Sequence, residues 1–64
     1  MIVNYTIDNG YSVTNWKIRD VASWKDEPYP PGGFLRIMRD KDGRILAGPH
    51  TDEIVSMSVQ YEDA

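Results

Sequence analysis

Cysteine is absent from this chain of 64 residues, and histidine occurs once. Without thiols there is no disulfide crosslink and no thiolate metal site, an absence that fits a reducing compartment. Long apolar runs are also missing. No stretch approaches the roughly 20 residues a helix needs to cross a bilayer. Met1 to Gly10 has no basic region followed by an apolar one, so it does not read as a secretion signal. The expectation from these absences is a cytoplasmic protein. Positive charge is scarce: seven Lys plus Arg stand against ten Asp plus Glu, for a formal net charge of −3. That balance disfavours general attraction to nucleic acid or to an anionic membrane.

A chain this short buries only about 60% of the surface its unfolded form exposes, so one small domain of modest stability is expected. Reinforcement by disulfide or thiolate metal being excluded, large aromatic side chains and association remain. Aromatics are present: Trp16, Trp24, Phe34 and tyrosines 5, 11, 29 and 61.

Alternation with period two dominates the chain. Ile2 to Asp8 and Tyr11 to Ile18 flank Asn9-Gly10, a pair suited to a two-residue type I′ hairpin turn. In that register Asp8 faces Tyr11, Tyr5 faces Thr14 and Val3 faces Trp16. One face then gathers Val3, Tyr5, Ile7, Trp16 and Ile18, as a half-buried antiparallel pair requires. Residues 19–27 fit both a strand and a helix. The strand is favoured, continuing through a bulge near Arg19-Asp20, with Trp16, Ile18, Ala22 and Trp24 in one phase. The prolines and glycines of Glu27 to Gly33 end regular pairing. A second hairpin is expected from Phe34 to Ala47 around Asp40-Lys41-Asp42-Gly43, a type I turn closing on a left-handed glycine. There Asp40 faces Arg44, Met38 faces Leu46 and Ile37 faces Ala47. Thr51 reads as the cap of a short helical turn. The last strand points Val55, Met57, Val59 and Tyr61 one way and Ser56, Ser58 and Gln60 the other.

Five antiparallel strands, two tight hairpins and one helical turn before the last strand predict an all-β domain, a small barrel or strongly curled sheet. Closure would remove exposed edges. The order of parts resembles the layout of an SH3-like barrel, a likeness of layout without any residue motif of that family.

Catalytic and metal signatures are weak. His50 has only Asp52 and Glu53 nearby in sequence, and neighbouring turn positions rarely converge on one ion. Ser12, Ser56 and Ser58 have no evident link to His50 as a base. Gly32-Gly33 precedes a strand, not the helix a phosphate loop needs. The expectation is a protein without catalytic residues, metal or cofactor.

Two segments qualify as binding surfaces. Trp24, Tyr29, Pro30, Pro31 and Phe34 combine rigid aromatics with a preset loop, and such groups lose little entropy on docking. Arg36, Arg39, Lys41 and Arg44 make a locally basic hairpin, a possible contact for single-stranded nucleic acid beside aromatics. The sequence therefore points first to a non-enzymatic protein-interaction module, an inhibitor or accessory subunit blocking a partner's functional surface. Size and acidity suit a phage- or mobile-element-encoded protein. A small-barrel binder of single-stranded nucleic acid is the alternative. The segment 54–61 offers a third surface, for pairing of two copies across a two-fold axis.

Overall fold

The computed structural model describes residues 1–61 of the chain. Six strands follow one another: β1 Ile2–Asp8, β2 Val13–Ile18, β3 Ser23–Pro28, β4 Phe34–Arg39, β5 Ile45–Ala47 and β6 Ile54–Gln60. A 3-10 turn, Thr51–Glu53, precedes the last strand. The strands form two antiparallel three-stranded sheets, ordered β2-β1-β6 and β3-β4-β5. The all-β expectation holds, and so does the helical turn before the final strand. Two parts of it need correction: there are six strands, not five, and no ladder closes a barrel among the described residues. The SH3-like layout therefore does not extend to a closed barrel.

The correction originates at residues 19–22. The expected continuous strand is broken by Asp20, whose φ of 64° turns the chain out of its extended path. The Val21 N–H then donates to the Met1 carbonyl (3.1 Å), and the Ala22 N–H donates to the Arg39 carbonyl (2.8 Å). Consecutive donors thus serve different sheets, which makes this segment the switch between them. The terminal ammonium of Met1 donates back to the Val21 carbonyl at 2.8 Å, locking the crossover to the start of β1. Val21, not Ala22, is the residue that turns inward here.

In the first hairpin Asp8 pairs with Val13, Tyr5 with Trp16 and Val3 with Ile18. The turn is centred on Gly10-Tyr11 rather than Asn9-Gly10. Gly10 has φ 89° and Asn9 is not left-handed, the pattern of a type II′ turn. Asn9 instead caps the turn with its side chain. Its Oδ1 accepts from the N–H groups of Tyr11 and Ser12, both at 2.9 Å. The register moves by two residues. An even shift leaves every side chain on its expected face, so Val3, Tyr5, Ile7, Trp16 and Ile18 still share one.

That face meets the second sheet. Val3, Tyr5, Val21 and Met38 form the buried cluster, with Met1, Ile7, Ile18, Ala47, Ile54, Met57 and Val59 packed around it. Burial raises the pKa of the Tyr5 phenol. The Asp40 turn forms as expected. Gly43 has φ 83°, and Asp40 Oδ1 accepts from the N–H groups of Asp42 (2.9 Å) and Arg44 (3.0 Å). Past it a bulge at Leu46 shifts the ladder, so Met38 faces Ala47 instead of Leu46. A second shift between Thr6 and Ile7 sets Ile54 opposite Ile7. Ile54 thereby joins the core margin, while Val55 is left 61% exposed. His50, not Thr51, caps the 3-10 turn, accepting from the Asp52 N–H. Among the described residues no helix is long and apolar enough to cross a membrane.

Candidate functional site: the aromatic face of β3 and β4

Side chains alternate across a strand, and the β3–β4 register pairs Trp24 with Met38, Asp26 with Arg36 and Pro28 with Phe34. These six residues share one face. Met38 at one end is fully buried, whereas Trp24 and Phe34 are 40% and 49% exposed. The face thus sets exposed Trp24 directly opposite core residue Met38, with Phe34 at the far end beyond Asp26 and Arg36.

Arg36 organises the middle of it. Its Nε donates to Asp26 Oδ1 at 2.7 Å and its Nη2 to Oδ2 at 3.0 Å, the two-pronged geometry that suits guanidinium and carboxylate. The same guanidinium lies 4.8 Å from the centre of the Trp24 ring, a cation–π contact worth about 0.5–1 kcal/mol at an exposed site. Its Nη1 stands 3.2 Å from the Met57 sulfur of β6. One side chain therefore braces Trp24 and links the two sheets. The hydrogen bonds from Arg36 hold the Asp26 carboxyl below the usual aspartate range, and Asp26 in turn raises the Arg36 pKa.

Tyr29 to Gly33 close the hairpin. The Gly32 N–H donates to the Tyr29 carbonyl (2.8 Å), and the Tyr29 N–H donates to the Gly33 carbonyl (3.0 Å). Pro30 and Pro31 sit at the exposed tip. His50 clamps this loop from below. Its Nδ1 accepts from the Asp52 N–H at 3.3 Å, which leaves Nε2 to carry the proton and donate to the Gly32 carbonyl at 2.8 Å. The Tyr29 ring meets the His50 ring edge-on, centroids 5.8 Å apart. Gly33 has φ +74°, and a Cβ added there would lie 2.7 Å from His50 Cε1.

Of the five aromatic and proline positions singled out from sequence, Trp24 and Phe34 share one face, at opposite ends of the ladder with Arg36 between them. Tyr29 belongs with His50 beyond the end of β3, and Pro30 and Pro31 form the rim. The basic hairpin does not assemble into a groove. Arg36 and Arg39 alternate to opposite faces of β4, and each is ion-paired, Arg39 to Glu27 at 2.9 Å. Lys41 and Arg44 lie in and after the Asp40 turn, exposed. Sequence reasoning misses two residues that shape the site. In sequence Arg36 stands out only as charge, although its place two residues from Met38 and opposite Asp26 follows from hairpin register. His50 stands out only as a candidate ligand or base; its contact with Gly32 spans 18 residues and leaves no local signal.

On the first sheet, a shallow depression of about 470 Å³ is lined by residues 4–6, 15–17 and 56–58. Asn4, Thr6, Asn15, Lys17, Ser56 and Ser58 point away from the core there, and Thr6 donates to Asn15 Oδ1 at 2.7 Å. Among the described residues no group of three His, Asp or Glu side chains could hold a metal. No family model, curated protein or solved structure matches this chain.

Proposed function

We propose that this chain is a non-enzymatic protein-interaction module that docks through the Trp24–Phe34 face of β3 and β4, with Pro30 and Pro31 as the rim of the contact. It acts as an inhibitor or accessory subunit by covering a functional surface of its partner. One observation carries this reading: two large aromatics, 40% and 49% exposed, lie on one paired face at either end of the Asp26–Arg36 ion pair, and Arg36 braces Trp24. Preset aromatic groups of this kind are favoured contact anchors because little freedom is lost on binding. The nucleic-acid reading has less support. Two of its four basic residues are neutralised by Asp26 and Glu27 and diverge to opposite faces, and net charge opposes phosphate binding.

The test uses the wild-type chain to recover partners from its source cells, followed by affinity measurement with the purified partner. Phe34→Glu is expected to weaken that complex by at least roughly 30-fold, the effect of a central contact residue, while its thermal transition stays within a few degrees of wild type. Equal affinity for wild type and Phe34→Glu overturns the reading.

A further inference from the structure

Among the described residues four strands are edges: β2 and β6 in one sheet, β3 and β5 in the other. Natural edges are blunted by charge, proline or brevity, because open N–H and C=O groups otherwise recruit another strand. β2 carries Lys17, β3 carries Lys25, Asp26, Glu27 and Pro28, and β5 has only three residues. β6 has none of these three, and its one irregularity is the bulge at Val55 against β1. Its seven residues, Ile-Val-Ser-Met-Ser-Val-Gln, contain neither charge nor proline, and among the described residues it pairs only with β1.

The order of residues on this edge is itself informative. Val55-Ser56-Met57-Ser58-Val59 reads the same in both directions. Antiparallel pairing of two identical strands about a two-fold axis joins residues equidistant from that axis. With the axis at Met57, Met57 meets the partner's Met57, Ser56 meets the partner's Ser58, and Val55 meets the partner's Val59. Every pair joins like side chains, hydroxyl to hydroxyl and apolar to apolar, and no like charges oppose one another over this stretch.

We infer that a second copy of this chain adds to β6 across a two-fold axis at Met57, producing a continuous six-stranded sheet ordered β2-β1-β6-β6-β1-β2. The addition pairs the open backbone groups of the edge and covers Val55, which the bulge against β1 leaves 61% exposed. It also makes the polar depressions on the outer faces of the two copies adjacent. A single strand pair buries less than the roughly 1,200 Å² of a stable standard interface, so the dimer is weak and concentration-dependent. The inference is independent of the aromatic face, which belongs to the other sheet.

Sedimentation of the full chain from about 1 μM to about 1 mM brackets the affinity of such a contact and tests it with two double variants at the exposed serines. Wild type is expected to pass from monomer to dimer over this range. Ser56→Lys with Ser58→Lys sets lysine against lysine in both pairs and is expected to weaken association at least tenfold. Ser56→Lys with Ser58→Asp sets lysine against aspartate in the same pairs and is expected to restore it. Far-UV circular dichroism confirms that both variants keep the strands. A wild type that stays monomeric at the highest concentration overturns the inference. So does a dimer indifferent to the two lysines, or one that the lysine–aspartate combination fails to restore.

Discussion

At Gly33 two independent constraints meet. The backbone is left-handed at φ +74°, and the space where a Cβ would go is occupied by the His50 ring at 2.7 Å. Gly10 shares the first constraint, at φ +89°, but has open space around it. Gly10→Ala is therefore expected to cost about 1–2 kcal/mol from backbone strain alone, and Gly33→Ala about 2–4 kcal/mol because His50 must also move. In a His50→Ala background the Gly33→Ala cost should fall to that of Gly10→Ala; denaturant titration of wild type, the three single variants and the double variant checks this. Asp26 supplies a second residue-scale expectation. Its folded-state pKa is depressed by the hydrogen bonds from Arg36, so the unfolded chain takes up its proton first as pH falls. The stabilisation is present above the ordinary aspartate range and is lost as pH drops through the lower folded-state value. Asp26→Asn should thus be less stable than wild type at neutral pH, and the gap should close in acid. A gap independent of pH would show that the pairing with Arg36 contributes nothing through titration.

The two hairpins show how far turn chemistry can be read and where it stops. Asp40-Lys41-Asp42-Gly43 forms as its residues indicate, because Asp40 accepts two backbone N–H groups and Gly43 takes the left-handed position. Asp40→Ala is expected to destabilise the chain by about 1–2 kcal/mol, the net worth of two exposed hydrogen bonds, with the loss read from thermal unfolding. Asn9-Gly10 is legible as a turn but not in its register. Two glycine-compatible turns compete there, and the one in which Asn9 caps Tyr11 and Ser12 prevails. The faces survive the slip because it is even. The split of the 13–27 segment into two strands is not legible, since Asp20 gives no clearer sequence sign of its φ of 64° than any aspartate. Val21 is buried through its partners: its own N–H bonds Met1 and its neighbour's bonds Arg39, both distant in sequence.

At the scale of the molecule, the fully buried side chains among the described residues are few: Met38, Val3 and Val21. A domain of this length is expected to have a total stability of about 3–10 kcal/mol. Met38→Ala, which empties the meeting point of the two sheets, is expected to cost about 2–5 kcal/mol. Its unfolding midpoint in urea should drop sharply, while Leu46→Ala, on an exposed bulge, should barely move it. So small a core leaves much apolar surface outside it, spread over the first turn and β2 (Tyr11, Val13, Trp16), the β3–β4 face (Trp24, Phe34), β5 (Ile45, Leu46) and Val55 of β6. Association through β6 would make the unfolding temperature rise with protein concentration, a dependence the two-lysine variant should lack.

Alternation of apolar and polar residues determined the all-β class, the inward face of β1 and the inward placing of Ile18, Met57 and Val59, and local turn chemistry determined the turn at Asp40, because each depends on neighbours within a few positions; the exposure of Trp16, Val55 and Tyr61 was not legible in that pattern. The absence of cysteine and the scarcity of histidine bounded the available chemistry in the same local way. Tertiary structure alone decided that the strands separate into two sheets, that Trp24 is braced by Arg36, and that Tyr29 is turned toward His50. Those outcomes rest on hydrogen bonds and contacts between segments roughly 10–20 residues apart, and loop closure on that scale leaves no periodic trace in sequence. The palindrome around Met57 is present in the chain from the start, but it gains meaning only when the fold leaves β6 at an edge.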